Sequence, residues 1–369
     1  MRVVDLTQWY SPVSGGIRTY LHAKAEWAAR TGNDHAAVVT ADRAGRGDVA
    51  GSAFVHVRGR TPAGRWGYRV APRPGPVLAA LDALDPDVVV LHDALAFPRS
   101  VARWAAGRGT GVAMVCHSDL ALGAAGLPRV LRRPAGAALG IVQRRALGAP
   151  SAVLVASEAT RERVAAHVAG PVVTSPFGVD LGTFGAARPD DALRERLAPP
   201  PARMLVYAGR LSSEKRIDLL PGVLAALGPG HVLVVAGTGA AQGLLERGAR
   251  KLGVEDRLVL LGHVSGRATL ARLLASADCF VHPNPTEPFG LAPLEALAAG
   301  SRVVAPSTVG SADLLWANGA VLVEPGDADA LAAGVRDALS RPRPAREGCP
   351  GWDDAFGREW DLYRSLVAA

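Results

Sequence analysis

The sequence predicts an α/β fold built from two doubly wound, Rossmann-like domains. Short runs of apolar, often β-branched residues recur along the chain without strict alternation, which is typical of strands buried on both faces of a parallel sheet. Helical patterns separate most of these runs, as expected for successive βαβ units. The chain has 369 residues, 49% of them hydrophobic, so it is long enough to form two cores.

The first half of the chain contains six predicted strands. They lie at residues 3–6, 35–40, 53–57, 87–93, 111–117 and 151–157. The clearest helical patterns between them lie at 16–30, 75–84 and 158–168. We therefore predict a first domain over residues 1–175.

The strand pattern then restarts and predicts a second domain over residues 203–345. Its six predicted strands lie at 203–209, 231–237, 257–262, 278–283, 302–306 and 320–325. The Pro- and Gly-rich stretch between the domains shows no clear strand, so residues 176–202 are predicted as a linker. Ligands of such sheets bind beyond the carboxyl ends of the strands, so we expect two facing sheets to share one ligand in a central cleft.

The last segment, residues 346–369, is predicted to contain a helix that packs back on the first domain. Its large apolar residues recur at helical spacing. They are Trp352, Phe356, Trp360, Tyr363 and Leu366.

Composition narrows the class of protein and of partner. The net charge is +7 without a long basic run, which indicates a solvated surface or attraction to an anionic substrate or lipid surface, and no nucleic acid is expected. The three cysteines are widely spaced and form no CxxC pattern, which favours a reducing, cytoplasmic setting. No signal peptide is recognised, and no apolar run approaches the roughly 18 residues of a membrane span, so any membrane contact is expected to be peripheral, at the inner face.

The most specific motif is EPFGLAPLE, which places Glu287 and Glu295 eight residues apart around a predicted helix start. The first N–H groups of that helix, at Phe289, Gly290 and Leu291, are suited to bind a phosphate. In a fully helical segment the carboxylates would lie about 12 Å apart along the axis, the length scale of a sugar, a diphosphate and a ribose. Either glutamate alone is typical of a solvated helix, but the pair predicts a binding site.

Two further clusters follow the first predicted strand of each domain. Gly15 and Gly16 would let the backbone approach a ligand, although a tight turn requiring positive φ is the alternative interpretation. In the second domain, Gly209 precedes Arg210 and Lys215, whose planar fork and point charge together suit a diphosphate. Ordinary surface salt bridges are the alternative there.

Two strand ends carry weaker signals. Gly237 begins a glycine pattern that approximates a dinucleotide fingerprint, but the next strand ends in Gly262 and His263 instead of the expected acid. We interpret this stretch as a turn that lines the ligand site. His117 ends a strand of the first domain and is a candidate for substrate contact, with a buried structural histidine as the alternative. No metal-ligand or nucleophile motif is found.

In combination these motifs resemble those of retaining GT-B glycosyltransferases, specifically glycosyltransferase family 4. EPFGLAPLE resembles the family's E-x7-E motif, and SPVSGGIRTY resembles its Gly-Gly loop. GRLSSEKRID resembles its basic diphosphate loop, and FGVD with the later Phe184 resembles its interdomain segment. The order and spacing of the motifs match over nearly the whole chain.

The resemblance implies a GT-B fold whose first domain binds the acceptor and whose second binds the donor. Glu295 would hold the donor ribose, and Glu287 would contact hydroxyls of the transferred sugar. Arg210 and Lys215 would neutralise the leaving diphosphate, and His117 would lie near the reacting face of the sugar. The resemblance implies further donor contacts at Gly15, Gly16, Gly209, Gly237, Gly262, His263, Val264, Phe289, Gly290 and Leu291.

The reaction implied is transfer of a hexose from a nucleotide-diphosphate sugar with retention at the anomeric carbon and without a metal or other cofactor. GDP-mannose is the first choice of donor, followed by UDP-glucose and UDP-N-acetylglucosamine. The acceptor would be a hydroxyl of a glycan, a lipid-linked sugar or a small molecule. A GT-B-fold UDP-sugar epimerase and a catalytically silent binding protein are alternatives that the intact motifs disfavour.

Two Arg-rich segments of the first domain, 58–76 and 117–135, match no motif. They are candidates for contact with an anionic or lipid-linked acceptor, with an ordinary surface loop as the alternative. The side chains concerned are Arg58, Arg60, Arg65, Trp66, Tyr68, Arg69 and Arg73.

Overall fold

The computed structural model describes residues 1–11, 15–61, 68–117 and 129–367. The chain forms two compact units, each built around one sheet, and the predicted α/β class is confirmed. Unit 1 comprises Met1–Phe177 together with the C-terminal segment from Trp352 onward. Unit 2 comprises Gly178–Gly351.

Unit 1 contains an eight-stranded sheet in the order β3-β4-β2-β1-β5-β6-β7-β8. The strands are β1 (Arg2–Thr7), β2 (Asp34–Ala41), β3 (Gly45–Val49), β4 (Ser52–Arg58), β5 (Val88–Leu91), β6 (Gly111–Cys116), β7 (Ala152–Val155) and β8 (Val172–Thr174). The six predicted strands are present, and they pair in parallel. Two edge strands were not predicted: β3, a polar stretch that pairs antiparallel with β4, and β8, which has only three residues.

The helices of unit 1 pack on this sheet. They are α1 (Gly16–Thr31), α2 (Gly75–Leu84), α3 (Pro98–Ala106), α4 (Arg129–Leu147) and α5 (Glu158–Val164). The predicted helices at 16–30 and 75–84 are confirmed, whereas the one at 158–168 ends early because its last turn tightens into a 3-10 helix, Ala165–His167.

Unit 2 contains a six-stranded sheet whose described strand pairings are all parallel. The strands are β9 (Arg203–Ala208), β10 (His231–Ala236), β11 (Leu258–Gly262), β12 (Cys279–Val281), β13 (Arg302–Pro306) and β14 (Val321–Val323), as predicted. Their spatial order, β11-β10-β9-β12-β13-β14, is that of a nucleotide-binding Rossmann sheet. The order reverses between β9 and β12, and such a reversal opens a ligand crevice at the carboxyl ends of the strands.

The helices of unit 2 include one in the stretch predicted as a linker. They are α6 (Asp191–Leu197), α7 (Leu220–Leu227), α8 (Gln242–Leu252), α9 (Arg267–Ser276), α10 (Leu291–Ala298), α11 (Ala312–Ala317) and α12 (Ala328–Ser340). Helix α6 begins after Asp190, whose carboxylate accepts a hydrogen bond from the Leu193 N–H at 2.9 Å. This side-chain cap stabilises the first turn despite the surrounding prolines and glycines.

The last helix, α13 (Trp352–Val367), belongs to unit 1. Its aromatic residues recur every three to four positions and are buried. Trp360 is 1% exposed, with its ring centroid 4.8 Å from that of Trp27 on α1. Phe356 is fully buried, 5.3 Å from the ring of Tyr20. The apolar stripe of this helix therefore completes the core of unit 1.

Across the part of the chain that the structure describes, no helix is at once long enough and apolar enough to cross a lipid bilayer.

Replacing Trp360 with alanine should lower the free energy of unfolding by about 3–5 kcal/mol, because it opens a cavity between α13 and α1. Urea denaturation followed by circular dichroism measures this change. Trp316→Ala is the matched control, because Trp316 is 69% exposed and its loss should change the free energy by less than about 0.5 kcal/mol. Equal effects of the two substitutions would contradict the packing assigned to α13.

Candidate active site

Backbone hydrogen bonds join three of the predicted site loops at the carboxyl edge of the unit 2 sheet. The Gly209 N–H, after β9, donates to the Ala236 carbonyl at 2.9 Å. The Gly237 N–H, after β10, donates to the Gly262 carbonyl at the end of β11, at 2.7 Å. The loops that follow β9, β10 and β11 therefore form one continuous surface.

Gly237 is required by the packing of these loops. It has a φ of +151°, and a Cβ at this position would lie 1.8 Å from the Gly209 carbonyl oxygen. Any side chain there would push away the loop that carries Arg210 and Lys215. The glycine pattern after β10 thus has a structural role that positions the neighbouring basic loop.

An ion pair connects the loops on either side of the strand-order reversal. Lys215, in the loop after β9, lies with its Nζ 2.5 Å from Oε2 of Glu287, in the loop after β12. Asn284 donates to the same carboxylate oxygen at 3.0 Å. The Lys215 and Glu287 side chains are only 20% and 15% exposed, so water screens their attraction weakly.

Glu287 is held as an anion. Burial by itself would raise its pKa, but Lys215, His282 and the hydrogen bonds from Lys215 and Asn284 outweigh burial and lower the pKa to about 2. His282 Nε2 lies 3.7 Å from the same carboxylate, and burial lowers the pKa of this imidazole to about 4. At neutral pH Glu287 is therefore a carboxylate and His282 a neutral imidazole.

Glu295 lies in a different electrostatic environment. It is 7% exposed on α10, and its carboxylate accepts a hydrogen bond from Arg267, the first residue of α9, at 3.2 Å. Burial raises the pKa of Glu295 to about 7, although Arg267 acts in the opposite direction, and Asp180 adds to the rise. The Arg267 guanidinium also lies 3.7 Å from Asp180 and 4.9 Å from the Phe184 ring centre. One arginine is thus shared between two acids, so it compensates the burial of Glu295 only in part.

The helix after Glu287 begins later than predicted. Helix α10 starts at Leu291, and Gly290 precedes it with a φ of +94°. The backbone N–H groups of Gly310 and Ser311 donate to the carbonyls of Glu287 and Phe289, which holds these residues in the loop before the helix. The 12 Å spacing that assumed a continuous helix therefore does not apply, because Glu287 lies in the loop and Glu295 on the helix.

The other predicted residues of unit 2 lie along the same edge. Arg210 is exposed, and its carbonyl accepts a hydrogen bond from the Tyr207 hydroxyl at 3.1 Å. His263 is exposed and Val264 is half-buried, both after β11. Their contacts with a donor stay predictions.

Gly15, Gly16 and His117 belong to unit 1. Neither glycine has positive φ, so the tight-turn alternative is wrong for both. A Cβ at either position would meet no described atom within 4 Å. The described fold therefore does not itself require glycine at these two positions.

His117 is half-buried at the end of β6. Its Nε2 lies 2.7 Å from Nδ1 of His92, and His92 Nε2 lies 3.0 Å from Asp5 Oδ1. Burial and the neighbouring His92 lower the pKa of His117 well below its usual value. The imidazole is therefore neutral at physiological pH.

Sequence reasoning missed several partners of the predicted residues. In unit 2 these are Asp180, Arg267, His282 and Asn284, and in unit 1 they are Asp5 and His92. Arg267 carried a usable signal, since it opens the helix that follows a strand end. The pairing of His92 with Asp5 carried none, because it depends on which strands are neighbours.

The Arg-rich segments are described only in part. Arg69 forms an ion pair with Asp42, and Tyr68 packs edge-on against Trp9 at 5.1 Å. Arg65, Trp66 and most of the segment 117–135 lie outside the described residues.

Comparison with known proteins identifies relatives over almost the whole chain. The family described as "Glycosyltransferase Family 4" matches residues 14–183, and "Glycosyl transferases group 1" matches residues 190–349. The chain is 33% identical over 353 residues to a GDP-mannose-dependent alpha-(1-6)-phosphatidylinositol dimannoside mannosyltransferase of Mycobacterium tuberculosis, covering 95% of this chain and 90% of the relative. A GDP-mannose-dependent alpha-mannosyltransferase of Mycolicibacterium smegmatis is 32% identical over 211 residues, covering 57% of this chain and 53% of that one.

A solved structure matches the fold over the full length. Sucrose-phosphate synthase from Thermosynechococcus elongatus has a TM-score of 0.82 at 20% identity, covering 100% of this chain and 99% of that chain. This likeness confirms the predicted GT-B class of two Rossmann-like domains.

The raised pKa of Glu295 predicts a stability that depends on pH. The folded state binds a proton at about pH 7, whereas an unfolded glutamate binds it at about pH 4.5, so stability should rise as pH falls through this window. Glu295→Gln should remove this dependence and should be more stable than the wild type at about pH 8, by up to about 3 kcal/mol. The difference should vanish near pH 4.5.

Urea denaturation at several pH values measures both proteins. Glu255→Gln, at an exposed position, is the control and should follow the wild type throughout. A constant difference between Glu295→Gln and the wild type at all pH values would show that Glu295 does not titrate in this range.

Proposed function

Because the chain belongs to glycosyltransferase family 4, we propose that this glycosyltransferase moves mannose from GDP-mannose to a hydroxyl acceptor with retention of the anomeric configuration. One observation carries the proposal. The Lys215–Glu287 ion pair lies at the strand-order reversal of a Rossmann-type sheet, where the cation would suit the diphosphate and the acid would suit the sugar.

Lys215 and Arg210 are proposed to stabilise the leaving diphosphate. Both lie in the loop after β9. Negative charge grows on the phosphate oxygen as its bond to the anomeric carbon breaks, and prepositioned cations favour that transition state. Lys215 is oriented before the donor binds, because Glu287 and the packing against Gly237 hold its loop.

Glu287 is proposed to orient the transferred sugar. An ionised carboxylate only accepts hydrogen bonds, and the pKa of about 2 keeps Glu287 ionised at every physiological pH. Sugar hydroxyls are therefore suitable partners. Lys215 lies beside this carboxylate, so a sugar bound to Glu287 and a phosphate bound to Lys215 would be neighbours.

Glu295 is proposed to accept hydrogen bonds from the ribose. Among the described residues its carboxylate accepts a side-chain hydrogen bond from Arg267 alone, so it keeps acceptor capacity for a ligand. Ribose hydroxyls would supply further donors and favour the ionised form. Binding of the nucleotide and ionisation of Glu295 are then coupled.

The departing diphosphate is proposed to accept the acceptor's proton on the same face of the sugar. The new bond from the acceptor oxygen to the anomeric carbon forms as the bond to phosphate breaks, and the hydroxyl proton moves to a phosphate oxygen. This course preserves the anomeric configuration. It requires no protein base at the reacting carbon and no metal ion.

GDP-mannose is chosen as donor because the relative that matches 95% of the chain is named for it. The acceptor is proposed to be a hydroxyl of a glycan, a lipid-linked sugar or a small molecule. Mannosyl phosphatidylinositols are the first acceptors to assay, since that lipid class is in the relative's name.

Lys215→Ala should lower kcat by about 100- to 1,000-fold, since removal of one preorganised donor to a developing anion has an effect of this size. Steady-state transfer assays measure it, and thermal melting verifies that the variant is folded. Lys251→Ala is the matched control, because Lys251 is an exposed lysine of the same unit. Near-normal turnover of folded Lys215→Ala would refute the role of the pair.

The donor and the stereochemistry are tested together in the presence of EDTA. GDP-mannose should be consumed in preference to GDP-glucose, UDP-glucose and UDP-N-acetylglucosamine. Proton NMR of the product should show the α-anomer, as in the donor. Preference for a UDP-sugar would overturn the donor, a β-linked product would overturn retention, and loss of activity with EDTA would overturn metal independence.

A further inference from the structure

A network of buried hydrogen bonds extends through the core of unit 1 and ends at His117. Its centre is Asp5 on β1, which is fully buried. Oδ1 of Asp5 accepts from Lys24 Nζ at 2.9 Å and lies 3.0 Å from His92 Nε2. Oδ2 lies 2.8 Å from His35 Nε2. From Asp5 the hydrogen-bond network continues through His92 to His117.

The same network reaches the C-terminal helix. Lys24 Nζ lies 3.3 Å from the carboxylate of Glu359 on α13. The hydroxyls of Tyr20 and Tyr363 donate to that carboxylate at 2.5 Å and 3.0 Å. Lys24, Asp5 and Glu359 are therefore one basic and two acidic side chains with no more than 1% exposure in the middle of the unit.

Stability alone does not account for such a cluster. Burying paired acidic and basic groups has a large desolvation cost, and apolar residues of similar volume often stabilise a core as well or better. The cluster lies between β1 and the helices α1 and α13, where Asp5 contacts Lys24 and Lys24 contacts Glu359. It reaches the carboxyl ends of β5 and β6 through His92 and His117, and this connection indicates a role at His117.

The hydrogen bonds determine which nitrogen of each imidazole carries a proton. An ionised carboxylate only accepts, so His92 must carry a proton on Nε2, facing Asp5. Where that is the only ring proton of His92, its Nδ1 accepts a hydrogen bond from His117. The two rings are inclined by only 29° with centroids 4.9 Å apart, as expected for an end-to-end hydrogen bond.

We propose that Asp5 and His92 are positioning residues that hold His117 neutral with its proton on Nε2, leaving Nδ1 as a hydrogen-bond acceptor for a hydroxyl of the transferred sugar. Nδ1 is the nitrogen of His117 that makes no hydrogen bond among the described residues. The sugar contact rests on the proposed function. The tautomer of His117 does not.

Acid would reverse this arrangement. One proton added to Nδ1 of His117 makes its imidazole a cation that donates from both nitrogens. His117 would then offer a donor where the sugar hydroxyl needs an acceptor. The titratable groups that face this histidine pair are Asp5, Tyr20, Lys24, His35, Asp93, Glu359 and Tyr363.

The tautomer is tested directly on the whole protein labelled with ¹⁵N-histidine. Long-range ¹H–¹⁵N NMR at about pH 8, where an ordinary histidine is neutral, should show His117 protonated on Nε2 and not on Nδ1. His117→Gln assigns the signals. A proton on Nδ1 of the wild-type His117 would overturn the proposal, whatever the donor sugar proves to be.

Kinetic measurements on His92 variants distinguish a residue that positions His117 from one that only stabilises the fold. His92→Gln keeps a donor for Asp5 but removes the acceptor for His117, so kcat should fall about 10- to 100-fold, the usual effect of losing a group that orients a functional histidine. The acid limb of the pH profile should move to higher pH, because His92 lowers the pKa of His117. His92→Asn places an oxygen near the former Nδ1 and should recover part of the activity.

His35→Gln is the matched control. His35 contacts the other oxygen of Asp5 but bonds to Ser52 at its far end, so its loss should lower the melting temperature without moving the pH profile. Equal losses of kcat in the His35 and His92 variants, with unshifted profiles, would overturn the proposal. If the His92 variants do not fold, the NMR measurement of the His117 tautomer in the wild-type protein tests the proposal by itself. Absence of transfer from every sugar would refute the proposed function and leave the tautomer measurement valid.

Discussion

The constraint on which the functional arrangement depends is the reversal of strand order in a parallel sheet. Parallel strands joined by right-handed crossovers bring all their carboxyl ends to one edge. Where the order reverses, the loops after β9 and β12 leave in opposite directions and open a crevice. Lys215 and Glu287 come from these two loops, and their ion pair joins the two sides.

Three buried carboxylates show that the positive charge nearby decides whether the pKa of a buried acid is raised or lowered. Asp5 faces Lys24 and two histidines, and its pKa is lowered well below the usual value despite complete burial. Lys215 lowers the pKa of Glu287 in the same way, to about 2. Glu295 shares Arg267 with Asp180, so burial wins and its pKa rises to about 7. The stronger the opposing charge, the more completely it offsets the loss of water.

The two acids of one motif are therefore prepared for different tasks. Glu287 is a permanent anion paired with a cation, which suits the sugar-orienting role proposed for it. Glu295 changes its charge near neutral pH and can respond to a ligand. The unfavourable burial of Glu295 lowers stability, which is a common property of binding groups before their ligand arrives.

Sequence patterns predicted the fold closely because local interactions carry the signal. Buried parallel strands are apolar throughout, so all twelve predicted strands lie within two residues of their observed bounds. The antiparallel strand β3 was missed because an exposed edge strand needs no apolar pattern. Helix α6 was missed because prolines and glycines around it hid the Asp190 cap.

The sequence by itself determined the two-sheet class, the family resemblance and the residues of the E-x7-E and basic loops, because each depends on spacing along the chain. Only the tertiary structure decided that Lys215 binds Glu287, that Arg267 binds Glu295, and that Asp5 reaches His117 through His92. These residues are separated by 72, 28 and more than a hundred positions, so their contacts arise only when strands and helices pack. Burial and charge then set their pKa values, which no local pattern contains.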